Sequence, residues 1–478
     1  MVATYLTART RAAELLAGFE RIRNELDVPE GFGPAAQQEA QSAALAAHPS
    51  EVDATALPLV TIDPEGAMDL DQAVFIQRRG AGYRVYYAIA DVPGFVTAGS
   101  DLDAEVRRRV VTLYSPDRKV PLHPTVLSED AASLLPGSDR PALVWQLDLD
   151  AEGALEGSIV QRATVRSRAK LSYGQVQTEF EADRADDSLL LLREVGRLLQ
   201  EQERARGGVS LPRAEQEVIN DGGSFRLELR QPLPVEDWNA QISLLTGRAA
   251  AAMMLDGGIG ILRTMPAPSA ADIGRVRAVA RSLAIEWPAG STYSQVIAGM
   301  DPTVPAQAAF LNACVILLRG AGYTAFQAAA PEVTTHSAVA APYAHVTAPL
   351  RRLVDRWGLQ ICLSLCEGSE VPGWVRISLD SVPQLMADGG RRARALERAN
   401  VDLVEAFVLQ GRLGERFEAV VLEAQDASSL IQLTQPPVIA RVRERLPLGE
   451  RVVVELTQVD IPQRSVQFAP IDQAGGSD

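Results

Sequence analysis

Three aspartates stand close together in the first fifth of the chain and could hold a cation. Asp63, Asp69 and Asp71 fall within nine residues of the stretch LPLVTIDPEGAMDLDQAVFI, which runs from 57 to 76. Crowded carboxylates repel one another, so they persist mainly where a cation holds them, and hard oxygen ligands favour Mg²⁺ or Mn²⁺. Pro64 and Gly66 bend the segment, which would let Asp63 and the Asp69/Asp71 pair converge on one ion. A solvated acidic turn is the alternative that this stretch alone leaves open.

Three further stretches follow the aspartate loop in a fixed order. They are YRVYYAIADVPGFVTAGSDLDAEVRRR (83–109), TLYSPDRKVPLHPTVLSEDAASLLPGSDRPAL (112–143) and YAHVTAPLRRLVDRW (343–357). Together with the loop, they resemble the ribonuclease II (RNB) family of 3′→5′ exoribonucleases. The resemblance implies an α+β fold with an RNB catalytic domain. It also implies a reaction, the processive hydrolysis of single-stranded RNA from its 3′ end to nucleoside 5′-monophosphates.

The resemblance assigns catalytic roles to residues of this chain. Asp63, Asp69 and Asp71 match metal-binding and catalytic positions of the family, and Arg351 matches the arginine that stabilises charge developing on the phosphate. The fourth position of the metal loop, aspartate in most relatives, is Gln72 here. Glutamine can bind an ion through its carbonyl oxygen but brings no charge, which puts a second metal ion in doubt. The implied cofactor is Mg²⁺, with Mn²⁺ as the alternative.

Further residues match positions that contact RNA in the family. Tyr114 matches an aromatic residue that stacks on the last bases, although a core tyrosine would have the same sequence context. Thr347 could donate a hydrogen bond to a phosphate, and Arg352 either grips a neighbouring phosphate or braces a helix. The remaining residues that the resemblance implies as RNA contacts are Tyr343 and Glu397. Glu397 could equally be a solvated carboxylate on a helix surface.

The histidines and cysteines do not suggest a separate catalytic centre. His345 lies in the third stretch, but metal-bound water needs no general base, so a positioning or structural role is the better interpretation. Cys314, Cys362 and Cys366 lie in apolar helical contexts without metal-ligand spacing. They predict buried free thiols in a reducing, cytoplasmic environment.

Hydrophobic periodicity predicts three units and a tail. Residues 1–50 read as helix, break and helix, where many relatives carry OB-fold cold-shock domains. Residues 51–405 mix strands and helices and would form the RNB catalytic domain. From 412 to 472 the pattern turns wholly to short strands, which predicts an OB-type RNA-binding barrel. The last residues, 473–478, predict a disordered tail.

The balance of charge bears on the partner. The net charge of −15 argues superficially against nucleic acid, but only charges along a binding path meet phosphates. Lysine occurs only at Lys119 and Lys170, so nearly all 46 basic residues are arginine, which binds phosphate bidentately. The arginine cluster at 107–109 is interpreted as a solvated helix face. The arginine clusters at 351–356 and 391–398 could line a basic channel. We expect single-stranded RNA as partner, a monomer, and no membrane segment.

Three other functions remain open at this stage. Gln72 favours an RNA-binding protein that keeps the RNB fold but has impaired catalysis. Asp69 and Asp71 flank a leucine as in aspartyl phosphatases, but Ala73 and Val74 lack the hydroxyl that this class requires. A DNA exonuclease is compatible with the metal chemistry, because the sequence does not reveal contacts to the ribose 2′-hydroxyl.

Overall fold

The computed structural model describes residues 2–46, 50–212, 215–221 and 224–471. The tail expected at 473–478 lies outside the described residues. The α-helices of the described chain are α1 (Val2–Glu25), α2 (Pro34–Leu45), α3 (Val92–Phe95), α4 (Asp101–Arg109), α5 (Tyr173–Glu181), α6 (Asp187–Arg206), α7 (Pro234–Asp256), α8 (Ala270–Ser282), α9 (Tyr293–Ala298), α10 (Pro305–Cys314), α11 (Leu353–Glu367), α12 (Gly373–Ser378) and α13 (Val382–Leu409). None of these helices combines the length and apolar character needed to cross a bilayer.

The strands form a central sheet, small ribbons and a barrel. They are β1 (Val60–Asp63), β2 (Gln72–Arg79), β3 (Gly82–Ala90), β4 (Leu113–Tyr114), β5 (Lys119–Val120), β6 (Asp139–Leu149), β7 (Leu155–Arg166), β8 (Ala169–Ser172), β9 (Glu215–Asp221), β10 (Ser224–Arg230), β11 (Ile259–Thr264), β12 (Gly322–Gln327), β13 (Thr335–His336), β14 (Ala341–Pro342), β15 (Arg416–Gln425), β16 (Ser428–Leu433), β17 (Ile439–Val442), β18 (Arg451–Asp460) and β19 (Ser465–Pro470). The expected α+β class is confirmed, with the barrel at the expected end of the chain.

The central sheet has six strands in the order β7-β6-β3-β2-β1-β8. Its β1–β8 pair is parallel and the other neighbours are antiparallel. Alternate residues of β3 enter two different apolar cores, because side chains in a strand alternate between faces. Val85, Tyr87 and Ile89 join the main core with α7 and α11, and Tyr86 and Ala88 join a smaller core on the opposite face.

The barrel closes in the order β15-β16-β17-β19-β18 and packs on α13. The N-terminal helix α1 packs against the same helix α13. A Cβ placed on Gly18 would lie 2.6 Å from the Leu403 side chain, so the two helices approach closely there. Arg23 of α1 forms a nearly buried ion pair with Asp117 at 2.7 Å, which ties α1 to the segment before β5.

Two expectations about side-chain exposure were wrong. Arg109, expected on a solvated helix face, is buried, because its guanidinium pairs with Glu105 at 2.7 Å, donates to the Gly31 carbonyl and stacks on the Phe32 ring. Cys366 is an exposed free thiol at the end of α11, where the apolar face of the helix gives way to solvent, whereas Cys314 and Cys362 are buried as expected.

A buried glutamate of α13 contacts both β9 and the barrel strand β17. Glu405 of α13 accepts hydrogen bonds from Gln216 Nε2 of β9 and from the Ile439 backbone N–H of β17, both at 2.8 Å. Burial raises the pKa of Glu405 to about 7, with a smaller contribution from Asp402 and opposition from these hydrogen bonds. The ionised form is therefore less favourable in the folded chain than in the unfolded chain.

Glu405→Gln keeps the accepting oxygen and removes the charge. Because the folded pKa lies above the unfolded one, wild-type stability should fall as pH rises from about 4.5 through about 7. The shift corresponds to about 3 kcal/mol at most. Thermal unfolding at about pH 5 and about pH 8 should show a larger loss of Tm for the wild type than for Glu405→Gln. Glu415→Gln, at an exposed ion pair, is the matched control, and parallel profiles for all three proteins would contradict this assignment.

Candidate active site

The aspartate loop joins two neighbouring strands of the central sheet. Strand β1 ends at Asp63 and strand β2 begins at Gln72. Gly66 has φ +79°, in the left-handed region that glycine adopts without strain, and Ala67 N donates to the Pro64 carbonyl at 3.2 Å. The segment therefore turns where proline and glycine predicted a bend.

Ser133 fixes the second half of this loop. Its hydroxyl accepts from Leu70 N at 3.0 Å and donates to the Met68 carbonyl at 2.6 Å. The Leu70 carbonyl accepts from Leu134 N at 3.0 Å, and the Leu70 side chain is fully buried. The backbone on both sides of Asp69 is thus held by a distant segment, which preorganises the carboxylates of the loop.

Asp71 is the most buried carboxylate of the loop. Its Oδ1 accepts from the Leu350 backbone N–H at 2.7 Å, and its Oδ2 lies 3.7 Å from Arg351 Nε. Burial raises the pKa of Asp71 to about 8, and Arg351 only partly offsets it. A carboxylate held in this way lacks a full counter-charge and favours a nearby cation.

Asp63 shows the same shortage of positive charge. Burial and the Asp69 charge raise the pKa of Asp63 to about 7, while Arg351 and Lys170 act in the opposite direction. Its Oδ2 is buried and has no hydrogen-bond partner in the described chain. An orphaned carboxylate oxygen in the field of Asp69 and Arg351 fits a divalent cation, whose charge would bring the pKa of Asp63 down.

Asp69 has a different partner, which the sequence analysis did not anticipate. Lys119 Nζ of β5 donates to Asp69 Oδ1 at 2.7 Å and to Glu129 Oε1 at 2.8 Å. In the described part of the chain, no three acidic, histidine or cysteine side chains are arranged so that they could hold a metal ion. The convergence of all three aspartates on one ion therefore stays a prediction, and Asp69 instead bonds to an ammonium group that it shares with Glu129.

Gln72 is directed at a backbone carbonyl. Its Nε2 donates to the carbonyl oxygen of Thr347. Only Oε1 of Gln72 could then contact an ion, so its metal-binding role stays a prediction. The contact also joins the start of β2 to the segment that carries Arg351.

That segment is braced by a buried aspartate that sequence reasoning missed. Asp355 is fully buried, accepts from Ala348 N at 2.7 Å and pairs with Arg352 through two bonds of 2.9 and 2.8 Å. Of the two roles open for Arg352, bracing the start of α11 is the contact observed. Arg351 is free of this brace and its side chain is 49% exposed, so it can reach a ligand.

Tyr114 lies beside the same carboxylates. It is 54% exposed and pairs directly with Lys119 across the β4–β5 ribbon, so the two side chains share a face. Desolvation of its hydroxyl and the Asp69 charge raise the pKa of Tyr114 to about 12. An exposed ring at the site favours the stacking role over the core-tyrosine alternative.

The other expected RNA contacts are less accessible. Tyr343 is 8% exposed and packs edge-on against His336 and His345, so little of its ring is available for stacking. Thr347 is buried, whereas Glu397 is exposed on α13 and makes no hydrogen bond or ion pair within the described chain. Their contacts with RNA stay predictions.

His345 is unsuited to act as a base. Its Nδ1 lies 2.7 Å from the Tyr323 hydroxyl, and burial, helped by the Arg352 charge, holds the pKa of His345 well below its usual range. A partly buried, neutral imidazole in an aromatic cluster agrees with the structural interpretation.

Comparisons with known proteins identify two domain families in the chain. The model described as the RNB domain matches residues 51–358, and the RNase II-type exonuclease C-terminal S1 domain matches residues 415–471. Ribonuclease R of Escherichia coli (strain K12) is 26% identical over 475 residues, which cover 88% of this chain and 57% of that protein. The chain thus spans less than two thirds of the length of that relative.

Two solved structures share the fold. The Mycoplasma genitalium RNase R complex with ribose-methylated single-stranded RNA has a TM-score of 0.84 at 19% identity, covering 96% of this chain and 78% of that one. Yeast Ssd1, described as a pseudonuclease, has a TM-score of 0.69 at 15% identity, covering 90% of this chain and 54% of that one. At these identities the likeness concerns the fold.

Asp71→Asn tests whether the loop binds a divalent cation. Asparagine can still accept from Leu350 N, so the fold should persist while the charge is lost. Mn²⁺ should raise the Tm of the wild type and have much less effect on Asp71→Asn, since a ligand that binds only the folded state stabilises it. Asp380→Asn, at an exposed position, should respond like the wild type. Equal Mn²⁺ responses in all three would remove Asp71 from the cation site.

Proposed function

The chain belongs to the RNB family, and we propose that it is a metal-dependent exoribonuclease that degrades single-stranded RNA processively from the 3′ end. The products would be nucleoside 5′-monophosphates. The observation that carries the proposal is the position of Arg351. Its half-exposed guanidinium lies 3.7 Å from the buried carboxylate of Asp71 and acts on Asp63, whose Oδ2 has no hydrogen-bond partner in the described chain. We propose Mg²⁺ as the cofactor, with Mn²⁺ as an alternative.

The residues would divide the work as follows. Asp63 and Asp71 would hold a divalent cation, which supplies Lewis-acid charge and lowers the pKa of water. Arg351 would bind the non-bridging oxygens of the scissile phosphate, where negative charge grows during attack. Tyr114 would stack on a terminal base and so align the last phosphate with the carboxylates. We propose that Asp69 is also a catalytic residue, because it lies in the same loop.

We propose that RNA contacts extend beyond the site. The exposed arginines of α13 and the barrel would bind backbone phosphates, since S1-type barrels present a face to single strands. We further propose three units, a helical segment at 1–50, a catalytic domain at 51–405 and a barrel at 412–472. A monomer in the cytoplasm acting on single-stranded RNA fits these proposals.

A second candidate is an RNA-binding protein with the same fold and impaired catalysis. The amide of Gln72 bonds to Thr347, and Asp69 is neutralised by Lys119, so the loop carries less free negative charge than three or four aspartates would provide. Against it stand the Asp63 oxygen that has no partner in the described chain and the half-exposed guanidinium of Arg351, which lies 3.7 Å from Asp71. Turnover decides between the two.

The reaction is tested with 5′-labelled RNA and DNA of equal sequence, each with a single-stranded 3′ tail. In Mg²⁺ or Mn²⁺ we expect stepwise shortening of RNA from the 3′ end, nucleoside monophosphates as products and little loss of DNA. Asp71→Asn should bind the RNA and leave it intact. Phosphate-dependent release of diphosphates, or internal cuts as first products, would refute the proposed reaction, and binding without any turnover would support the second candidate.

Arg351→Lys tests the role of the guanidinium. An ammonium group cannot make the two parallel hydrogen bonds of an arginine fork, so kcat should fall by about 10²- to 10³-fold with a smaller change in KM. Single-turnover rates on a short RNA measure this directly. Arg184→Lys, at an exposed pair with Glu179, is the matched control and should stay close to the wild type. A wild-type rate for Arg351→Lys would show that Arg351 does not stabilise the transition state.

A further inference from the structure

Both lysines of the chain lie next to the aspartate loop. The sequence has 46 lysines and arginines in total, and lysine occurs only at 119 and 170. Lys119 bonds Asp69, and Lys170 of β8 approaches the loop residue Met68 and lowers the pKa of Asp63. All other basic residues of the chain are arginines, so its only two side-chain ammonium groups both lie at the aspartate loop.

Lys119 is held from several sides. Its ammonium bridges Asp69 Oδ1 at 2.7 Å and Glu129 Oε1 at 2.8 Å, and Glu129 lies in the π-helical turn Leu127–Ala131. Its backbone is paired with Tyr114, whose ring is exposed beside it. Two carboxylates from different segments therefore share this one ammonium group.

The arrangement changes how many divalent ions the loop can hold. A divalent ion bound to Asp69 would stand beside the ammonium that already contacts this carboxylate, and the two like charges would repel. Gln72 contributes no charge to offset that repulsion, and its Nε2 is engaged with Thr347. Among the described residues no lysine is bonded to Asp63 or Asp71: Asp63 Oδ2 has no hydrogen-bond partner, and Asp71 Oδ2 lies 3.7 Å from Arg351 Nε.

We propose that the ammonium of Lys119 is a built-in cation at Asp69 that takes the place of a second divalent ion. The site then holds one exchangeable divalent ion, at Asp63 and Asp71, and one fixed monovalent charge. This inference rests on the proposed function, because it assumes that the loop binds metal. It assigns Lys119 to the phosphate as well, since its remaining N–H can donate to an oxygen of the nucleotide stacked on Tyr114.

The number of bound ions tests the inference without any measurement of turnover. Titration of the metal-free full chain with Mn²⁺, followed by calorimetry and by the electron paramagnetic resonance signal of free Mn²⁺, gives the ions bound per chain. We expect one ion for the wild type and two for Lys119→Met, whose side chain fills a similar volume without charge. Lys119→Arg, which keeps the charge, should return the count to one. Lys170→Met, which removes a charge from the same site without exposing Asp69, should also bind one ion.

Each alternative result has a distinct meaning. Two ions in the wild type, or one ion in Lys119→Met, would overturn the role of Lys119 and leave the proposed exoribonuclease standing. No ion in the wild type would overturn this inference and the metal-dependent reaction together. If Lys119→Met does not fold, Gln72→Asp provides the test, because Lys119 still occupies Asp69 in that variant. One ion is then expected, and two would overturn the inference.

Discussion

The hydrogen bond between the Leu350 backbone N–H and Asp71 Oδ1 joins two segments that lie 279 positions apart, and the candidate site depends on it. It places the buried carboxylate beside Arg351 and fixes the turn before α11. The Gln72–Thr347 contact makes a second tie between the same segments. Because a buried carboxylate without its partner is costly, the central sheet and the arginine-bearing segment hold together as one unit.

The aspartates around this hydrogen bond differ in how far a neighbouring positive charge compensates them. Asp355 is fully neutralised by Arg352 and braces the backbone, and Asp69 is neutralised by Lys119. Asp63 and Asp71 stay short of positive charge, with only the half-exposed Arg351 near both. Ion pairs at Asp69 and Asp355 therefore lie near two carboxylates whose charge is only partly compensated, an arrangement that is common at functional sites.

The ends of the chain are organised around α13. Helix α1 and the barrel both pack against α13. Glu405 of α13 also bonds to β9 and to β17. Close contact between Gly18 and Leu403 allows α1 to sit tightly on α13, so the N-terminal helices are part of the fold that carries the site. The buried bonds of Glu405 join the barrel to α13 and β9, which helps to fix the position of the barrel.

The sequence alone determined the elements, the class and the family. Turn residues bent the aspartate loop, period-two patterns predicted the barrel strands, and ordered motifs indicated the RNB family, because these signals depend on neighbours along the chain. Only the tertiary structure decided which side chains, distant in sequence, contact one another. Lys119 meets Asp69 across 50 positions and Arg109 meets Gly31 across 78, and no local pattern encodes such pairs. Packing sets both the distance and the desolvation of each charge. It therefore decided that Arg109 is buried, that Asp355 braces Arg352, and that Asp69 pairs with Lys119 while Asp71 lies near Arg351.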